Sequence, residues 1–422
     1  MADNDKEQEP KGQEFIREKI KDKPLGRRNI IKMCILAIVL GLLFGVTACL
    51  ANYLLSRALS NRDSADKNDF VISESGDSQD TDESNEDSEP EVIVEQQQLE
   101  VQDYQKLQNK IYAIGKKANK SIVTVAGKTS ETDIFDTDYE NENKTSGLII
   151  GLSHDRLMIL TEYKSIEDAS QIKVTFIDGA SADAELINYD RLTGLAVIYV
   201  DYTTLSDDTV SSIAAATLDV TKQVKQGDVV IATGSPMGSV YSILFGSITS
   251  VANEISLDDS VYTIYTTNML ASSSSSGVLV NLDGEVVGIT LMQYNNSSDQ
   301  NTLTAIPVSE LKGIIEKLSN DEDQVYLGVK VSTVTEDIIQ EHGIPEGVYI
   351  RSVENDSPAF EAGLQRGDVI VAINDTEIKT VEDYMDYLAE KKPSQVIAIT
   401  IMRQSKNEYK EVSCSAKLIK LQ

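Results

Sequence analysis

At 422 residues, with 41% hydrophobic side chains, the chain exceeds what one hydrophobic core supports, so two folded domains with tails are expected. A formal net charge of -30 works against nucleic acid and anionic membrane surfaces as partners of the folded part and favours neutral or basic ligands. Three cysteines exclude a disulfide framework and a cysteine-rich zinc site, and His154 and His342 are the whole supply of imidazole bases.

Residues 1-32 are polar and include Lys19, Lys21, Lys23, Arg27, Arg28 and Lys32, whereas Met33 to Ala51 is a run of 19 residues without a charge. That length spans a bilayer core as one helix, so a transmembrane helix is expected over 33-55. The competing reading is a cleaved signal peptide with a small-residue site at Ala48-Cys-Leu-Ala51, but the apolar run is long for one and the preceding segment is unusually extended. Basic residues crowd the N-terminal side, which places the N-terminus in the cytoplasm and everything beyond residue 55 outside it, a single-pass cell-membrane protein. Residues 56-98 form a linker. Asp69 to Glu91 carries ten acidic residues and no Lys or Arg, and like-charge repulsion keeps such a segment extended, as a spacer.

A domain is expected over 99-320. Leu99 to Ala118 has Val101, Tyr104, Leu107, Ile111 and Ile114 at intervals of three and four, the spacing of an amphipathic helix. Short β-rich runs follow at Ser121 to Ala126, Ser146 to Ile150, Arg156 to Thr161, Gln171 to Phe176, Ala184 to Asn188 and Leu195 to Val200. A second set lies at Val229 to Thr233, Ile243 to Val251, Val261 to Thr267, Val278 to Val280, Val286 to Leu291 and Leu303 to Ala305. Two groups of six strands punctuated by Gly, Asp and Asn predict two antiparallel barrels, and Pro307 to Leu318 predicts a closing helix.

Five consecutive serines, Ser272 to Ser276, precede a hairpin whose arms, Val278 to Val280 and Val286 to Ile289, are joined by Asn281-Leu-Asp-Gly284. A loop of small residues before a buried hairpin is how chymotrypsin-type proteases present a nucleophile and the amides of an oxyanion hole. Leu279-Val-Asn-Leu-Asp-Gly-Glu-Val-Val-Gly-Ile289 resembles the corresponding hairpin of HtrA (DegP-type) trypsin-like serine proteases, and Gly234-Ser-Pro-Met-Gly238 resembles that family's Gly-Asn-Pro-Phe-Gly turn. The resemblance implies a mostly β fold, a chymotrypsin-like double β-barrel, and puts Ser275 at the nucleophile position. Ser273, Ser274 and Ser276 stand where the family has Gly, Asn and Gly. In Ile159-Leu-Thr-Glu-Tyr-Lys-Ser-Ile166, Lys164 takes the place of the family's histidine, and in Asp190-Arg-Leu-Thr-Gly-Leu-Ala-Val-Ile198, Gly194 takes that of the aspartate. Two of the three triad members are absent while the flanking hydrophobic framework is kept.

Residues 324-420 form a further unit. Ser357-Pro-Ala-Phe-Glu-Ala-Gly-Leu-Gln-Arg-Gly-Asp-Val-Ile-Val-Ala-Ile-Asn374 resembles the core of PDZ domains, an α+β fold. By the same resemblance Tyr326-Leu327-Gly328-Val329 is the loop whose backbone amides capture a C-terminal carboxylate, and the strand from Lys330 to Thr333 is the edge a peptide extends. Val381 to Glu390 forms the other wall, with Met385 and Leu388 as side-chain contacts.

No metal, nucleotide or cofactor motif is present. The reading that follows is a membrane-anchored, extracytoplasmic pseudoprotease. It binds peptide C-termini or unfolded envelope proteins through its PDZ domain, in protein quality control as the resemblance implies, with a trimer expected by analogy. The alternative is an active serine endopeptidase in which Lys164 serves Ser275 as a non-standard base, a role that needs its amine neutral.

Overall fold

A computed structural model describes residues 100-132, 138-221, 223-292, 301-406 and 408-421. The cytoplasmic tail, the transmembrane helix expected over 33-55 and the acidic linker lie outside the described residues. Among the described residues no helix is long and apolar enough to cross a membrane.

Helix α1 (Val101–Ala118) opens the described chain, with Glu100 and Asp103 forming a reciprocal capping box. Its apolar stripe divides. Ile111 and Gly115 are buried, and a Cβ on Gly115 would lie 2.6 Å from Ile243, so the C-terminal half packs closely on the second barrel. Val101, Tyr104 and Leu107, expected from their spacing to face the domain, are 88%, 61% and 54% exposed. Periodicity sets which side of a helix is apolar, not how far along the helix a partner extends.

Strands β1 (Ile122–Thr132), β2 (Asp138–Ser153), β3 (Arg156–Glu162), β4 (Gln171–Thr175), β5 (Ser181–Asp190) and β6 (Leu195–Asp201) close into a barrel in the order β1-β2-β3-β6-β5-β4. After the short helix α2 (Asp207–Ser212) come β7 (Val229–Ser235), β8 (Ser242–Leu257), β9 (Ser260–Leu270), β10 (Ser276–Val280), β11 (Val286–Leu291) and β12 (Thr302–Pro307). They close a second barrel in the order β10-β11-β12-β9-β8-β7. Closure removes the unpaired edges that an open antiparallel sheet would present.

Several strands read as continuous apolar runs because both their faces are buried. Along β3, Leu157 and Ile159 point into the first barrel while Met158 and Leu160 point out. Along β6, Ala196, Ile198 and Val200 point in while Leu195 and Val197 point out. The outward set meets Ile231, Val278, Val280 and Ile306 of the second barrel and Leu311, Ile315 and Leu318 of helix α3 (Val308–Ser319). One apolar layer thus welds the two barrels and seals them with α3.

The remaining elements are β13 (Val325–Tyr326), β14 (Val329–Thr333), α4 (Glu336–His342), β15 (Val348–Val353), α5 (Pro358–Glu361), β16 (Val369–Ile373), β17 (Thr376–Glu377), α6 (Val381–Ala389), β18 (Val396–Ser405), β19 (Glu408–Lys417) and β20 (Ile419–Lys420). Their main sheet runs β14-β15-β16-β18-β19, which leaves β14 at its edge. The core is separate, built on Leu327, Val331, Ile350, Ile370, Tyr384 and Ile399. Asp368, 1% exposed, takes two 2.7 Å hydrogen bonds from the Arg403 guanidinium, whose Nη2 also donates to the Gly363 carbonyl. The paired fork and the Gln365 amide, which donates to Oδ2 at 2.8 Å, together satisfy this buried carboxylate.

Truncating the inner layers tests this packing. Ile198→Ala in the first barrel and Leu279→Ala in the second, both fully buried, should each lower the unfolding free energy by about 2–5 kcal/mol. Urea midpoints at unchanged slope are the measurement.

Candidate functional site

The cleft where a trypsin-like triad would be assembled is built from the ends of β3 and β5 and the start of β10. Gly194 has φ +76° and closes the turn from Asp190, donating its N–H to the Asp190 carbonyl at 2.8 Å. Its own carbonyl accepts from the Tyr163 amide at 2.8 Å, so a backbone bond pins the segment carrying Lys164 to the segment carrying Gly194. The Tyr163 and Tyr189 rings stack at 3.9 Å above this junction. Asp190, 1% exposed, accepts from the Leu192 and Thr193 amides and the Thr193 hydroxyl. Burial pushes its carboxyl up and those bonds pull it back. Asp190 is therefore consumed in shaping the turn.

Lys164 lies in a single 3₁₀ turn, Tyr163–Ser165, and is exposed. Ser275 is 2% exposed, and its Oγ is buried with no hydrogen-bond partner among the described residues. No hydrogen bond joins the two side chains among the described residues. His154, in the β2–β3 turn at φ 54°, and His342, at the end of α4, are both exposed.

The serine run itself forms a tight turn. The Ser275 amide donates to the Ser272 carbonyl at 3.0 Å, the Ser274 amide to Ser272 Oγ at 3.3 Å, and the Ser272 amide to the Pro236 carbonyl at 3.2 Å. An oxyanion hole needs the nucleophile's amide aimed into the cleft; here it is spent inside the turn. Ser276, where the HtrA resemblance has glycine, takes hydrogen bonds on Oγ from the Ser146 amide at 2.9 Å and the Ser146 hydroxyl at 3.0 Å, which ties β10 to β2 of the other barrel. Gly277 follows at φ +136°, and a Cβ there would lie 2.1 Å from the Thr233 carbonyl oxygen, so only glycine fits. The cavity left between the barrels is about 20 Å³, room for roughly one water.

Glu162 lines this cavity together with Ser146, Thr161, Ser276 and Gly277. Burial pushes its carboxyl up to about 7, against the opposing pull of Lys164. Sequence reasoning missed it; the signal was a carboxylate directly after the buried Thr161 in an apolar strand.

A second constellation lies at the PDZ-like edge. The amides of Leu327 and Gly328 donate to Oδ2 of Asp259 at 2.7 and 2.8 Å, and that of Val329 to Oδ1 at 3.1 Å. The Tyr384 hydroxyl donates to Oδ1 at 2.7 Å. Gly328 allows the loop its shape: φ is +90°, and a Cβ would lie 2.3 Å from that of Ser357. Asp259 is 8% exposed; burial pushes its carboxyl up while the four donors oppose the shift. Tyr326 contributes its hydroxyl to Asp258 at 3.1 Å. Of the two groove residues expected on α6, Met385 is half-buried and accepts on Sδ from the Val261 amide at 3.5 Å, whereas Leu388 is buried in the core. The helix residue that reaches the carboxylate is Tyr384, one position before Met385. Neither Tyr384 nor Asp259 stood out in the sequence, although the acidic pair Asp258-Asp259 at a hairpin tip was visible. Among the described residues no cluster of three or more His, Cys, Asp or Glu is placed to hold a metal ion.

Two closed six-stranded barrels with a cleft at β10, followed by a sheet with an amide-lined carboxylate loop, define a trypsin-like peptidase domain joined to a PDZ domain. Residues 145-289 match the family model described as trypsin-like peptidase domain, and 325-414 match that of the PDZ domain. The chain resembles HtrA-type proteins over both of these domains. It is similar to "Serine protease Do-like HtrA" of Bacillus subtilis (strain 168), 29% identical over 311 residues that make up 69% of this chain and 67% of that protein. It is also similar to the "Probable periplasmic serine endoprotease DegP-like" of Hahella chejuensis (strain KCTC 2396), 30% identical over 270 residues, 63% of this chain and 55% of that one. The first curated relatives are thus matched over 55% to 67% of their own length. Among solved structures, "HtrA-type protease AlgW with decapeptide" shares the fold at a TM-score of 0.55 and 23% identity, covering 74% of this chain and 98% of that one. The serine endoprotease from Yersinia pestis does so at 0.51 and 24%, with the same coverage.

Glu162 yields a pH prediction. Its folded-state value, about 7, lies above the ordinary 4.5, so between these values the folded chain holds a proton the unfolded chain has released. Its stabilising contribution is complete below about 4.5 and lost as pH rises to about 7. Glu162→Gln should flatten this slope and be the more stable chain at pH 8 by about 1–3 kcal/mol, read as urea midpoints from pH 4 to 8.

Proposed function

We propose that this chain is a proteolytically inert member of its family, held outside the cytoplasm by its N-terminal apolar segment, that binds carboxylate-ended tails or unfolded segments of proteins through the PDZ domain. The observation that carries the first half is the state of Ser275: a buried hydroxyl with no acceptor at hand among the described residues, beside an amide already bonded within its own turn. Acyl transfer needs a base within hydrogen-bond reach to take the serine proton and free amides to hold the oxyanion. Lys164 is exposed, and no hydrogen bond joins it to the Ser275 hydroxyl among the described residues. The convergence of three amides and a tyrosine hydroxyl on one carboxylate supports the second half. The periplasmic designation of DegP-like relatives supports the extracytoplasmic side, and a homo-oligomer is the assembly expected by analogy.

A fluorophosphonate probe should leave the full-length protein unlabelled, and casein should stay intact. Labelling that maps to Ser275 and disappears in Ser275→Ala would overturn the inert reading and favour the serine endopeptidase. Restoring the two missing side chains is a sharper trial. The double variant Lys164→His with Gly194→Asp should cleave casein no faster than wild type, because the Ser275 amide still faces the Ser272 carbonyl; a gain of tenfold or more would show that the missing base and its partner were the whole defect.

A further inference from the structure

The carboxylate that fills the PDZ loop belongs to the other domain. Strands β8 and β9 form a long hairpin of the second barrel, closed by the pair Leu257 and Ser260 around a two-residue turn, Asp258-Asp259. Asp259 sits there at φ +57°, a left-handed conformation that a short polar side chain tolerates. The tip meets the edge of β14 through an isolated antiparallel bridge. The Asp259 amide donates to the Val329 carbonyl at 2.7 Å, Asp258 bridges Lys330 in antiparallel register, and Ser256 Oγ donates to the Val331 carbonyl at 3.3 Å. The Lys330 ammonium stands 3.8 Å from Asp258.

The contacts of Asp259 are those that an incoming chain end requires. A peptide extending a sheet edge gives its last N–H to the edge carbonyl and its terminal carboxylate to the loop amides. Asp259 supplies the same N–H and, from its side chain, the same two oxygens. Resting on the proposed reading of the groove as a receptor for carboxylate-ended tails, we infer that Asp259 is a built-in pseudo-ligand: the hairpin tip, residues 256-260, occupies the groove in the unliganded protein, and a free polypeptide C-terminus binds by displacing it. The two cannot be bound together, because the Leu327, Gly328 and Val329 amides are the donors for both.

The size of the effect follows from population. A site open only a fraction f of the time binds with an apparent dissociation constant raised by 1/f. A tip docked about 90% to 99% of the time weakens tail binding about 10- to 100-fold, and removing its carboxylate restores that factor.

Binding of fluorescein-labelled decapeptides, randomised among apolar residues at the last three positions, would be measured on the full-length protein by anisotropy, with free and with amidated C-termini. Two variants keep the turn foldable. Asp259→Gly suits the left-handed backbone and removes the carboxylate, and Asp259→Asn keeps shape and tolerates the same backbone while removing the charge. Both should bind the free-carboxylate pool at least tenfold more tightly than wild type, with no matching gain for the amidated pool. On unaltered wild type, saturating carboxylate peptide should speed amide hydrogen exchange across 256-260. Equal affinity of wild type and both variants for the carboxylate pool, or unchanged exchange of the tip in the bound state, would overturn the displacement while leaving tail binding intact. An equal gain for amidated peptides would overturn carboxylate competition. Absence of binding by folded variants would sink tail recognition itself and the displacement with it.

Discussion

The apolar layer between the two barrels is the constraint on which the rest of the molecule rests. A barrel strand normally hides one face and shows the other to solvent. Here β3, β6, β10 and β11 hide both, so that residues one apart in sequence serve different cores: Ile159 fills a barrel while Met158 and Leu160 fill the seam, and Leu279 does the same between Val278 and Val280. A register slip in any of these strands would misplace two cores at once. The seam sets where β2 meets β10, and hence the shape and volume of the cleft, before any polar side chain is considered.

Within that fixed frame, main chain and side chains hold the candidate site in different ways. The backbone contact from Tyr163 to Gly194 holds two segments that a working triad would need held, although neither carries the expected side chain. A main-chain bond is indifferent to side-chain identity, so it holds these segments with Lys164 and Gly194 in them as it would with other side chains. The serine turn behaves differently. Its geometry depends on its hydroxyls, since Ser272 Oγ meets both the amide and the hydroxyl of Ser274, and the Ser275 amide is bonded within the turn.

Much of this was legible in the residues. The twelve barrel strands announced themselves by short β-branched runs between Gly, Asp and Asn, and the glycines around Ser357 to Asn374 marked a PDZ core before any fold was seen. What could not be read falls into two physical kinds. Extent of cover is one: Val101, Tyr104 and Leu107 lie on the apolar side of α1, but no pattern within a helix states where its partner stops. Long-range pairing is the other. Asp259 and Leu327 stand 68 positions apart, Asp259 and Tyr384 125, and nothing local to Leu257-Asp-Asp-Ser260 distinguishes a solvated turn from one inserted in a groove. Glu162 belongs with these, because its altered proton affinity arises from walls contributed by another barrel.

The bond between Ser146 and Ser276 has a mechanical side. Oily surfaces slide over one another at small cost, since dispersion has no direction, whereas a buried O–H aimed at a partner 3.0 Å away resists lateral drift as a dowel resists shear. With that peg in place, β2 and β10 are held in lateral register across the joint of the two barrels.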